Sequence, residues 1–137
     1  LAAQSMFYFT GPAGGIDAMY GTSAEKVHSG SAAGSYNLFL GMSNWLKLYN
    51  MTDSPVAPAL KVHSAGGIRE IGYILPARGA VDIPIHEGAL FGTASNSYGL
   101  IEVSGSGVSS QLLRIKPLNT EPPRFDFVFP TLVEPAN

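Results

Sequence analysis

Cysteine is absent from the 137 residues, so disulfides, thiolate nucleophiles and thiolate zinc sites are all excluded, and the redox compartment leaves no mark. Charge is scarce as well. Only 13% of residues are Asp, Glu, Lys or Arg, about half the ~25% of ordinary soluble proteins. Eight basic residues against ten acidic ones leave no basic surface to neutralise phosphates, so nucleic acid is not expected as a partner. Long apolar runs are missing too: no stretch approaches the ~18 residues of a spanning helix, and no basic-then-apolar leader is visible. Membrane insertion is therefore not expected. The chain starts at Leu1 rather than Met, which reads as a processed product or a segment of something longer, with 1–4 and 134–137 as flexible or linking ends.

What is abundant is punctuation. Sixteen Gly and ten Pro break the chain so often that its longest run without either is Met42–Ser54, which excludes long helices nearly everywhere. With an ordinary apolar fraction of 45%, the length suits one folded domain spanning 1–137. Short runs rich in β-branched and aromatic residues alternate with turn clusters, the spacing of an all-β sandwich.

Ser5–Thr10, Tyr36–Met42 and Asn44–Asn50 read as strands. Met42, Trp45, Leu46 and Tyr49 also fall at helical spacing, but Trp45-Lys47-Tyr49 alternates against Leu46-Leu48, and the strand is preferred. Val56–His63 and Ile68–Leu75 alternate with a period of two around Ser64-Ala65-Gly66-Gly67, a hairpin whose paired glycines would supply positive φ. Ala80–Ile85 places Val81, Ile83 and Ile85 on one face destined for burial. Pro84 cannot donate a ladder hydrogen bond, so this strand belongs at an edge or carries a bulge. Tyr98–Ser104 and Val108–Lys116 flank Gly105-Ser106-Gly107 and read as another hairpin. Arg124–Phe129 presents Phe125, Phe127 and Phe129 together, a core strand. Thr22–Ser35 reads as a long loop with at most a helical turn around Ala24–Val27.

Chemistry is harder to find. His28, His63 and His86 and the ten carboxylates form no tight cluster. Asp82 and His86 would share a strand face across Pro84, yet two ligands are fewer than the usual three and no H-E-x-x-H spacing exists, so neither metal nor any other cofactor is expected. His63, beside a Gly turn, is expected to be solvated. No G-x-S-x-G elbow occurs, and no catalytic set converges, so an enzyme is not expected. Asn50-Met51-Thr52 matches a glycosylation triplet, but a turn asparagine is the better reading. Trp45, Tyr49, Tyr73 and Tyr98 are candidates for stacking on sugar rings.

Leu46–His86, LKLYNMTDSPVAPALKVHSAGGIREIGYILPARGAVDIPIH, is more specific. An apolar strand ends in Asn50, and a polar turn with Thr52 leads into an alternating strand. A Gly turn, a second strand, a Pro76-x-x-Gly79 turn and a strand with Asp82 follow. This order resembles the Ig-like β-sandwich modules, often repeated, of bacterial secreted and cell-surface proteins, and Gly99–Val103 resembles the strand that usually comes next. The resemblance covers the central part of the chain and departs at both ends. It implies an antiparallel Ig-like sandwich of about 7–10 short strands with little helix. It also implies a non-enzymatic structural or adhesive role at the cell surface or outside the cell, with self-association or neighbouring domains as partners. On that reading Met6, Phe7, Tyr8 and Phe9, or Phe125, Phe127 and Phe129, form either ordinary terminal strands or strands added to a neighbouring copy, as in a fibre. A Pro-rich tail from Pro117 to Pro135 would suit a connecting arm. The alternatives are a glycan-binding module and a viral coat or decoration protein with a jelly-roll sandwich.

Overall fold

The computed structural model describes residues 4–11, 13–23, 27, 29–118 and 124–135. Among them run β1 (Gln4–Thr10), β2 (Ile16–Ser23), β3 (Ser31–Asn37), β4 (Ser43–Asn50), β5 (Ala59–Ser64) and β6 (Gly67–Gly72). β7 (Ala80–Pro84), the single-turn helix α1 (Gly88–Phe91), β8 (Tyr98–Ser104), β9 (Val108–Leu118), β10 (Arg124–Leu132) and β11 (Glu134–Pro135) follow. A four-stranded sheet has the order β10-β9-β4-β7, a five-stranded sheet the order β11-β3-β8-β5-β6, and β1-β2 is a separate two-stranded ribbon. Every pairing is antiparallel.

The two sheets are layers of one all-β sandwich because each strand's period-two pattern puts its aliphatic side chains on the inner face. Leu46, Leu48, Ile83 and Leu112 from the four-stranded sheet meet Leu60, Val62, Ile101 and Val103 from the other in one buried cluster. Each such burial is worth about 1.5–3 kcal/mol. Only strand geometry places Leu46 and Leu48 in the same layer, which decides Ser43–Asn50 against the helical alternative. Ile83 and Ile85 are buried with Val81 packed behind them, and β7 lies at a sheet edge, as Pro84 requires.

Several expectations are corrected. The strand expected over Tyr36–Met42 ends at Asn37, and Phe39–Gly41 forms a 3-10 turn. The Asn44 side chain causes this: its Oδ1 accepts the Asn37 N–H at 3.0 Å and its Nδ2 donates to the Asn37 carbonyl at 2.7 Å, taking the place of a strand partner. Gly105-Ser106-Gly107 does not close a hairpin. It carries the chain from β8 in one sheet to β9 in the other, with positive φ at Gly105 and Gly107. Val56–His63 shortens to β5 because Pro55 and Pro58 lack N–H groups, and Val56 keeps only an isolated bridge to Leu75. Ile68–Leu75 likewise ends at Gly72. The hairpin at Ser64–Gly67 forms, but only Gly67 takes positive φ. Within the presumed loop over 22–35, Ser31 onward is β3, and Thr22 and Ser23 end β2. The helical turn expected at Ala24–Val27 lies outside the described residues apart from Val27, as does His28.

Asn50 ties the sequence signature to the fold. It is 2% exposed; its Nδ2 donates to the carbonyls of Ser54 and Pro76, each at 2.8 Å, and its Oδ1 accepts from the Thr52 N–H and hydroxyl, also at 2.8 Å. Asn50-x-Thr52 is thus an Asx turn bonded to the Pro76–Gly79 turn. Arg78, at φ 56°, completes the staple, its Nη1 donating to the Met51 carbonyl at 2.7 Å and its Nε to Asp53 at 2.9 Å.

Candidate functional site

The ribbon is built by alternation and displaced by one residue. Tyr8 opposes Met19 and Phe9 opposes Ala18, but Thr10 opposes Ile16, so a bulge falls at Asp17. Met6, Tyr8, Ile16 and Met19 therefore share one face, and all four are exposed, Tyr8 at 65%. Asp17 is the single charged residue in the two strands. The opposite face docks: Phe9 packs on Phe125 of β10 with ring centroids 4.9 Å apart. β1 pairs with β2 and with neither large sheet, whereas Phe125 belongs to β10, an edge strand of the four-stranded sheet. The side chains of Phe7, Phe127 and Phe129 lie outside the described residues.

A second apolar surface lies on the outer face of the five-stranded sheet. Register puts Tyr98 and Leu100 of β8 on the side away from Ile101 and Val103. Tyr98 stacks on Phe39, centroids 6.2 Å apart and planes 29° from parallel. Leu40 follows, held at φ 59° with its side chain 72% exposed, a conformation that costs a non-glycine residue roughly 1–2 kcal/mol. Ile68, also exposed, opposes His63, which opposes Leu100. His63 is not simply solvated, since its Nε2 lies 2.9 Å from a Glu102 oxygen. That pair and the Lys61–Glu70 pair at 3.6 Å border the patch.

The four candidate stacking rings fall in three places. Trp45 and Tyr49 share the outer face of β4 on either side of Lys47. Tyr73 packs against the core, where burial pushes its hydroxyl pKa up. Tyr98 belongs to the other sheet. Trp45 is further engaged by His86, whose ring meets it edge-on at 5.1 Å. His86 and Asp82 do not meet as a pair: Lys47 donates to both Asp82 oxygens at 2.8 and 2.9 Å. His86 Nδ1 lies 3.0 Å from the Asn44 carbonyl, so that nitrogen carries the hydrogen. Among the described residues no three His, Asp or Glu side chains gather as metal ligands would.

The chain matches no protein-family model, no curated protein and no solved structure at a significant level. Function is accordingly read from the two apolar surfaces. Ile16 and Met19 of the ribbon and Phe39, Leu40 and Leu100 of the patch are members that sequence reading does not single out. For Phe39 and Leu40 the signal is Leu40-Gly41, a turn-like pair inside a stretch that otherwise reads as strand.

Proposed function

We propose that this chain is a non-enzymatic structural subunit of an extracellular or cell-surface protein assembly, joined to its neighbours through the β1-β2 ribbon. The observation that carries this reading is a ribbon that belongs to neither sheet and shows solvent an apolar face. A lone two-stranded ribbon is marginally stable in water, and an exposed apolar face is a liability unless a partner covers it. Docking through Phe9 and Phe125 secures one side; association secures the other. The Ig-like character of the module rests on the strand and turn order of Leu46–His86, and the cell-surface setting on that same resemblance together with the low charge.

Sedimentation velocity over a wide concentration range, with electron microscopy of the same samples, tests the proposal. Concentration-dependent species larger than the 14.4 kDa monomer are expected, and a chain that stays monomeric to about 1 mM, a dissociation constant worth only ~4 kcal/mol, overturns it. Filaments would fit a surface fibre, and closed shells would move the reading to a viral coat.

A further inference from the structure

We infer that the exposed ribbon face of one copy docks on the Phe39, Leu40, Tyr98 and Leu100 patch of the next copy, making a head-to-tail contact that repeats. The inference rests on the assembly reading above and adds its second surface. The two surfaces match in chemistry. Each is apolar at its centre, and the polar groups of the patch lie at its border, Lys61 beside Glu70 and His63 beside Glu102.

They also match in size. From the exposures of their side chains, each offers on the order of 500 Å², so one contact would bury roughly 1,000 Å², the lower bound for a specific interface. Placement makes the contact intermolecular. The ribbon packs along β10 at the edge of the four-stranded sheet, through Phe9 and Phe125. The patch faces outward from the five-stranded sheet. A ribbon-to-ribbon dimer would cover only one of the two surfaces, whereas ribbon on patch covers both.

Leu40 supports the patch as a built feature. A leucine in the left-handed region is uncommon, and this one, next in the chain after Phe39, keeps an aliphatic residue in solvent at that cost. Leucine offers no hydrogen bond to a sugar hydroxyl, so an apolar protein surface is the occupant that fits. Because the two surfaces differ, the contact is heterologous, and every copy added leaves one ribbon and one patch open. Such a contact grows into a filament or closes into a ring.

The test uses two exposed substitutions, Tyr8→Glu on the ribbon and Tyr98→Lys on the patch, with Leu40→Asp as a second patch variant that suits the left-handed backbone. Circular dichroism and thermal unfolding first establish that each is folded. The wild type is expected to sediment as species beyond a dimer, and each variant alone as a monomer, with the apparent dissociation constant raised tenfold or more. An equimolar mixture of Tyr8→Glu and Leu40→Asp is expected to give dimers and nothing larger, because one intact ribbon meets one intact patch while the two acidified surfaces repel each other. If the wild type assembles while the mixture stays monomeric, or while both patch variants assemble like the wild type, the head-to-tail contact is overturned and assembly itself stands. If the wild type is monomeric throughout, both fall.

Discussion

Among individual residues, Asn50 does most to join sequence signature to fold. Its amide is buried and spent on carbonyls and on Thr52, so the folded chain offers no free Nδ2 for a glycan. Asn50→Ala would leave the Thr52 N–H without its acceptor and remove the amide's bonds to the Ser54 and Pro76 carbonyls, and each such bond is worth about 0.5–1.5 kcal/mol net. Urea unfolding is expected to show a loss of about 3 kcal/mol at unchanged m; a loss under about 1 kcal/mol would refute the staple. Tyr36 bears on stability at alkaline pH. Burial raises its hydroxyl pKa above the ordinary 10.0, partly offset by a hydrogen bond with Ser97. The folded state therefore holds this proton more tightly than the unfolded chain does, a contribution complete below pH 10 and lost as pH rises through the higher folded value. Tyr36→Phe, which gives up the bond to the His63 carbonyl at 3.2 Å, should cost about 1 kcal/mol at neutral pH. Its unfolding free energy should then fall less steeply than the wild type's above pH 10. Equal slopes would assign the effect elsewhere, Tyr73 first.

The elements differ in how plainly the sequence announced them. β7 was readable to its edge position because Val81, Ile83, Ile85 and Pro84 speak for themselves. β4 was readable because Leu46 and Leu48 must share a layer. β2 and β3 were not: Ala32 and Gly34 line the inner face of β3, and small residues carry almost no hydrophobic signal although Ala32 is fully buried. The passage from β8 to β9 is hidden from the sequence because a Gly-Ser-Gly turn between two strands looks the same whether the strands pair or part. Of the candidate surfaces, Met6, Tyr8 and Tyr98 are legible as candidates, but their partners are not, since Ile16 joins the ribbon face only through the bulge at Asp17 and Leu40 only through its left-handed backbone. The α1 segment, at four residues, is far too short to hold itself. Phe91, fully buried, anchors it, and Thr93 Oγ1 ties the following chain to the Ile85 carbonyl at 2.9 Å. Phe91→Ala is expected to cost about 3–5 kcal/mol in urea unfolding. A cost near that of a surface change would mean that the α1 turn is dispensable to the core.

For the whole molecule, the scarcity of charge and the proposed apolar contacts make one prediction about medium. Raising sodium chloride from about 0.1 to 1 M shortens the screening length from ~10 to ~3 Å, yet association should change by no more than about twofold. Sulfate should strengthen it, because excluded salts favour apolar burial. Dissociation by sodium chloride would instead point to charged side chains such as Lys61 and Glu70 as the adhesive groups. The separation of β8 from β9 into different sheets also bears on how the chain reaches its native state. β4 must wait for β7 and β9, and β3 for β8, so both layers close only when the last third of the chain has arrived. By topology such sheets fold in milliseconds to seconds. The β1-β2 ribbon, a local hairpin, can form in microseconds, so its apolar face is presented during synthesis well before the sandwich that carries it is complete.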